Sequence, residues 1–176
     1  MLERLSESEE LAKAVNILIS NLKVYAIILT GSRARGNYKP WSDYDILIIA
    51  EFREKYLDRI AKILELLKDI ELNIEPHPYT IEEATEMLKK GNPLIIDALS
   101  EGKTLYTTKK FEEIIKLYKN LINKGLTKTK TTIILPTNNT TPENNTQTNH
   151  TTTKHNHTPK THNNQTHHTP NHLLTP

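Results

Sequence analysis

Cysteine is absent from the 176 residues. Disulfides and thiolate metal sites are therefore excluded, and a reducing compartment is compatible with the chain. No apolar run approaches the roughly 18 residues needed to cross a membrane. Neither sign of charge dominates. The formal net charge is +2, and nothing in the totals calls for a long nucleic acid or an acidic membrane as partner. The first ten residues, MLERLSESEE, are charged and lack the apolar core of a signal peptide. A protein of the cytoplasm is the expectation.

What is present falls into two unlike parts. Residues 137–176 contain 13 Thr, 9 Asn, 7 His and 4 Pro, with Leu173 and Leu174 as the only aliphatic side chains. Such a stretch cannot bury enough apolar surface to offset the entropy of ordering, so a disordered tail is expected. Its histidines suggest weak metal binding and its Asn-x-Thr triplets suggest glycosylation, but this composition produces both by chance. Residues 1–136 carry 21 basic and 20 acidic groups and form the expected folded domain.

Within that domain helical and strand patterns alternate. Ser6 and Glu9 make a capping box before a helix over residues 8–22, with Leu11, Val15, Leu18 and Leu22 on one face. VYAIILT, residues 24–30, reads as a short strand. Pro40 breaks the chain before a second strand over 43–50. A helix over 53–68 has Ile60, Ile63, Leu64 and Leu67 as its apolar stripe. IELNIEPH, residues 70–77, alternates like a strand with one solvated face. Thr80 and Glu83 make another capping box, opening a helix to Lys90. A short helix over 92–99 and a short strand over 103–106 follow, then a helix over 109–124, capped by Thr108 and stopped at Gly125. TTIILP, residues 131–136, is expected to add an edge strand or to dock. The class is α/β (α+β), a small mixed β-sheet flanked by helices.

The chemistry concentrates in LTGSRARGNYKPWSDYDILII, residues 29–49. Asp43 and Asp45 stand two apart, so on a strand both point the same way. Two carboxylates that close repel unless a cation lies between them. Mg2+ suits such a pair, because it takes hard oxygen ligands and keeps positions open for water and phosphates. An isolated D-x-D is more often a polar turn, but its company here is specific. Gly31 lets the backbone approach a ligand closely, and Ser32 adds a hydroxyl. If residues 32–35 begin a helical turn, their free N–H groups face the same ligand. Arg33 and Arg35 add charge suited to phosphate oxygens. No Lys-[Ser/Thr] follows the second glycine, so this is not a P-loop. Trp41, the only tryptophan, is expected to pack over the sheet edge rather than stack on a base.

GSRARGNYKPWSDYDILII, residues 31–49, resembles the signature of the DNA polymerase β-type nucleotidyltransferase superfamily. The short chain is similar to the minimal nucleotidyltransferases, single-domain prokaryotic members often encoded beside a HEPN-domain protein. The resemblance implies the polymerase β-type fold over residues 8–107, with Gly31 and Ser32 on nucleotide phosphates and Asp43 and Asp45 on Mg2+. It implies transfer of a nucleotidyl group, usually AMP from ATP, onto a hydroxyl. Two Mg2+ ions would neutralise charge on the α-phosphate and the leaving pyrophosphate. The acceptor it suggests is a tyrosine of a HEPN toxin, which would make this chain the antitoxin of a toxin–antitoxin system. The alternative is a catalytically weak or inactive module of the same fold that neutralises the toxin by binding.

The family places a third carboxylate on a later strand. Glu71 and Glu75 in IELNIEPHPYT are the candidates, and on an unbroken strand they share a face with Asn73 and His77. Glu75 is preferred as third metal ligand and base, because it lies just ahead of the Thr-capped helix. Glutamate stands here in place of the commoner aspartate. A lone histidine is more often structural, so His77 is not assigned to the site. The near-neutral domain argues against long RNA. The helix over 109–124 and the TTIILP segment are candidate surfaces for a homo-oligomer.

Overall fold

Val24–Leu29 (β1) and Tyr44–Ala50 (β2) are near-continuous apolar runs. Such runs suit strands covered on both faces. In the computed structural model, which describes residues 6–129 and 131–136, β1 and β2 pair antiparallel, with Leu29 opposite Ile46. Ile74–Tyr79 (β3) runs parallel to β2, and Lys103–Thr107 (β4) antiparallel to β1. The sheet order is β3-β2-β1-β4. A parallel neighbour needs a crossover, and Tyr56–Leu66 (α3) supplies it between β2 and β3. The expected disordered tail, residues 137–176, lies outside the described residues, and the boundary at 136 with it.

Helices cover both faces of the sheet. On one, Ala14 and Leu18 of Glu7–Asn21 (α1) join Ile63 and Leu67, at and just past the end of α3, against Ile27, Leu29, Ile46 and Ile48. On the other, Ile81–Lys89 (α4), Pro93–Glu101 (α5) and Glu112–Asn123 (α6) set Leu88, Ile95, Ile96 and Ile114 against Ile28, Leu47 and Ile49. Each fully buried Ile or Leu side chain contributes about 2 kcal/mol. The capping boxes at Ser6–Glu9 and Thr80–Glu83 form as the sequence predicts. Asn92 caps α5 with Pro93 in its first turn. Among the described residues no helix is long and apolar enough to cross a membrane.

Several local expectations are corrected. β3 begins at Ile74, not at residue 70. Leu72 instead packs on the α1–α3 cluster, Ile70 is buried within it, and the Glu71 N–H donates to Glu10 Oε2 at 3.0 Å. Leu64 of α3 is exposed, because the helix turns Ile63 inward. Thr108 does not cap the last helix. Its hydroxyl donates to the Tyr25 carbonyl at 3.1 Å, and a 3-10 turn at Lys109–Phe111 leads into α6. Ile133–Ile134 (β6) pairs with Thr127–Lys128 (β5) in a separate two-stranded sheet, and Ile133 packs on the α4–α5–α6 cluster, so of the two expectations for this segment docking holds and an edge strand on the main sheet does not. Trp41 does not pack over the sheet edge: it is 75% exposed, with the Lys39 ammonium 5.4 Å from its ring.

Candidate active site

The chain leaves β1 at Thr30. Its N–H donates to the Asp45 carbonyl at 2.8 Å, and its hydroxyl reaches the same oxygen at 3.2 Å. The turn after β1 is thereby tied to the first residues of β2. Gly31 follows with φ +67°. A Cβ built on it would lie 2.0 Å from Asp45 Oδ2. Glycine is favoured twice over here, by the left-handed backbone and because the Asp45 carboxylate occupies the space a side chain would take. Gly31–Arg35 (α2) is the helical turn expected from the sequence. The half-buried Ser32 hydroxyl makes no hydrogen bond among the described residues.

Parallel pairing of β2 with β3 puts Asp45 opposite Glu75 and Leu47 opposite His77. In-register residues share a face, so Asp45, Glu75 and His77 all point to the α4–α5–α6 side. His77 Nε2 stands 3.8 Å from Asp45 Oδ1 and 3.9 Å from Glu75 Oε1. One ligand atom from each of the three lies within 4.8 Å of the others. The group is open to solvent, with Asp45 30% and Glu75 58% exposed. Among the described residues no Lys or Arg pairs with Asp43, Asp45 or Glu75. Two carboxylates thus share a corner with no described Lys or Arg beside them, an arrangement a divalent cation relieves.

Asp43 stands outside that trio. It precedes β2, and its carboxylate accepts a hydrogen bond from the Asn73 side-chain amide. Glu71, the other candidate for the third carboxylate, lies ahead of β3. Asn73 is a functional candidate that sequence reasoning left unassigned. It also accepts the Tyr44 N–H at 2.8 Å through its carbonyl, so one residue fixes both the strand pairing and the Asp43 carboxylate.

The two arginines part company. Arg33 is buried. Its guanidinium donates to the Ser42 carbonyl at 2.8 Å, the Tyr44 hydroxyl at 3.0 Å, Glu7 Oε2 at 3.1 Å and the Pro40 carbonyl at 3.3 Å. It also lies over the Tyr44 ring at 3.9 Å and the Tyr38 ring at 4.6 Å. This clasp closes the loop between α2 and β2. Tyr44, between the two aspartates, points to the opposite face and donates to Glu7 Oε2 at 2.6 Å. Burial, and then the Glu7 hydrogen bond, push its phenol up to about 12. The Tyr44 hydrogen bond holds the Glu7 carboxyl below its usual range. No spacing rule in the sequence marks this Glu7–Arg33–Tyr44 set. Arg35 is exposed and sits close enough to α5 to act on Glu101. The hydrogen bond from Lys128 is the main cause of that carboxyl's lowered pKa, with Arg35 a lesser one.

A cavity of about 560 Å³ lies at the other end of β1 and β2, bordered by Lys23, Ala50, Glu51, Lys62 and Thr80. Two of its lysines are paired, Lys23 2.6 Å from Glu51 and Lys62 2.7 Å from Glu54. The open corner at Asp45, where two carboxylates and an imidazole converge without a described Lys or Arg, is the candidate site.

The chain is similar in part to known proteins. The bifunctional uridylyltransferase/uridylyl-removing enzyme of Pseudomonas entomophila (strain L48) is 34% identical over 82 residues, which are 46% of this chain and 9% of that enzyme. The chain thus spans under a tenth of the curated relative that it matches. Among solved structures, a tyrosine-to-alanine variant of the toxin–antitoxin pair MntA–HpeT aligns at 21% identity and a TM-score of 0.43, covering 69% of this chain and 92% of that one. A tri-AMPylated Shewanella oneidensis HEPN toxin in complex with MNT antitoxin aligns at 19% identity and a TM-score of 0.41, covering 68% and 92%. The family described as Nucleotidyltransferase domain matches residues 11–106, from within α1 through most of β4. That stretch is more than half of the chain and contains Gly31, Asp43, Asp45 and Glu75, and the chain belongs to this family.

Proposed function

We propose that the chain moves a nucleotidyl group, AMP from ATP in the preferred case, onto a hydroxyl of a protein partner. The observation that carries this is Asp45 in register with Glu75, with the Asp45 carboxylate seated against a glycine, in a chain of the nucleotidyltransferase family. The clustered carboxylate oxygens fit a hard divalent cation, Mg2+ in the first instance and two ions by the family resemblance. Asp45, Glu75 and the neighbouring Asp43 are the residues proposed to hold it. When bound, such a cation supplies charge neutralisation at the reacting phosphate and favours loss of the acceptor proton.

The chain's own groups do the rest. The N–H groups of Gly31 and Ser32, with the Ser32 hydroxyl, bind phosphate oxygens at the start of α2. Arg35 extends positive charge along the triphosphate. Arg33 acts at one remove, by holding the loop that carries Asp43. A bond forms between the acceptor oxygen and the α-phosphorus, and the bond from that phosphorus to the bridging oxygen breaks. Pyrophosphate leaves, and the hydroxyl proton passes to the Glu75 carboxylate. The acceptor is proposed as a tyrosine of a HEPN-domain toxin, which makes the chain an antitoxin of the cytoplasm. The family resemblance suggests that partner, and the absence of cysteine is compatible with that compartment.

A second reading, a toxin-neutralising module with little turnover, is favoured by one observation: Asp43 is bonded to Asn73 and stands outside the trio. Incubation with α-labelled or γ-labelled ATP, Mg2+ and the protein encoded beside this one separates the two. Transfer predicts α-label on the partner, no γ-label, and loss of signal in Asp45→Asn. A tight complex that never takes up label supports the second reading.

A further inference from the structure

We infer that His77 is a ligand of the proposed cation, and that its imidazole tunes the site away from Mg2+ toward Mn2+ and the later first-row divalent ions. The inference rests on the proposed cation site and deepens it. The parallel register sets His77 two residues beyond Glu75 on the same face, so imidazole and carboxylates converge on one corner. Its Nε2 is 3.8 Å from Asp45 Oδ1 and 3.9 Å from Glu75 Oε1. Both separations are beyond hydrogen-bonding reach. They do suit a shared ion. Bonds of about 2.1 Å place neighbouring ligand atoms about 3.0 Å apart and opposite ones about 4.2 Å apart. The trio, all within 4.8 Å, needs only small side-chain rotations to reach that spacing. Asp43, held by Asn73, is not among the three.

The chemistry of the donor set then decides the preference. Mg2+ takes oxygen almost exclusively and demands near-ideal octahedral geometry. Imidazole suits Fe2+, Ni2+, Cu2+ and Zn2+ best, and Mn2+, at the weak end of the first-row series, still accepts it more readily than Mg2+ does. A site that adds an imidazole to its carboxylates therefore binds Mn2+ more tightly than an all-carboxylate site does, relative to Mg2+. The surrounding strand also fits a ligand role. The Tyr44 N–H bond to the Asn73 carbonyl shows that Asn73, Glu75 and His77 turn their backbone groups toward β2. Pro76 and Pro78 then take the positions whose N–H would face the open edge, so β3 loses no sheet hydrogen bond. The His77 ring is thus carried on a strand with a fixed register, not on a loop.

Pulsed electron paramagnetic resonance of Mn2+ bound to the full-length chain tests this without reference to turnover. Wild type should show nitrogen-14 coupling from a directly bound imidazole. His77→Asn should keep Mn2+ bound through oxygen and lose the coupling. In calorimetric competition, the Mn2+/Mg2+ affinity ratio should fall about tenfold in that variant. His77→Ala, at a partly exposed position, serves as a second variant with the same expected loss of coupling. The seven histidines of residues 137–176 make these variants the deciding comparison. Coupling that persists without His77 overturns the inference. So does Mn2+ bound in wild type with no nitrogen coupling but lost in Asp45→Asn, which leaves the cation site itself standing. No Mn2+ binding to wild type, with or without ATP, overturns both.

Discussion

A methyl group is too large for position 31. Its carbon would meet Asp45 Oδ2 at 2.0 Å, and the backbone there is left-handed. Gly31→Ala should therefore displace the Asp45 carboxylate and cost about 1 kcal/mol of stability, read from urea denaturation. Nucleotidyl transfer should fall further than that loss explains. Asp45→Asn separates the chemistry from the fold. It removes one charge from a carboxylate pair that no described Lys or Arg neutralises, so stability should hold or rise slightly, while transfer drops at least about a hundredfold because several kcal/mol of charge stabilisation are lost. Both residues were legible in the sequence, since a glycine after a strand and a D-x-D ahead of another are local patterns. Arg33 was legible as an arginine and not as a clasp. Its partners Glu7, Pro40, Ser42 and Tyr44 are gathered from three segments, and no spacing announces them.

The elements hold these residues in place. Arg33→Ala would leave the loop between α2 and β2 without its central donor. Stability should fall by about 2 kcal/mol, and amide exchange over residues 36–43 should speed up. Arg33→Lys should recover little, because an ammonium cannot reproduce the fork. The α3–α4 side offers a test by pH. The buried Arg59 donates to both Glu83 oxygens, at 2.6 and 3.0 Å, and these hydrogen bonds hold the Glu83 carboxyl below its usual 4.5. A carboxyl whose pKa is lowered on folding adds stability above its unfolded value, and that stability is lost as pH falls through the folded one. The advantage of wild type over Glu83→Gln should be full at pH 7 and shrink on acidification below about 4.5. Glu83 is 42% exposed, so the advantage is about 1 kcal/mol. Strand β3 marks where pattern reading failed. Residues 70–77 alternate like a strand, yet Ile70 and Leu72 serve the α1–α3 core and only the second half of the alternation pairs with β2. Tertiary packing chose the start of the strand, and that choice leaves Glu75 and His77, without Glu71, beside Asp45.

At the scale of the whole molecule, the alternation of helices and strands gave the α/β class. Sheet order and the clustering of His77 with two acids depend on long-range pairing that a single sequence does not display. A ligand that binds only the folded chain stabilises it by mass action, about 2.7 kcal/mol at a hundred times its dissociation constant. Mg2+ with ATP should thus raise the melting temperature of wild type by a few degrees and leave Asp45→Asn unmoved. The most direct measurement is a crystal structure grown with Mn2+ and a non-hydrolysable ATP analogue, using anomalous scattering to place the metal. The account predicts a peak between Asp45 and Glu75, with the triphosphate against Gly31 and Ser32. Metal and nucleotide in the cavity bordered by Lys23 and Glu51, with the Asp45 corner empty, would contradict it.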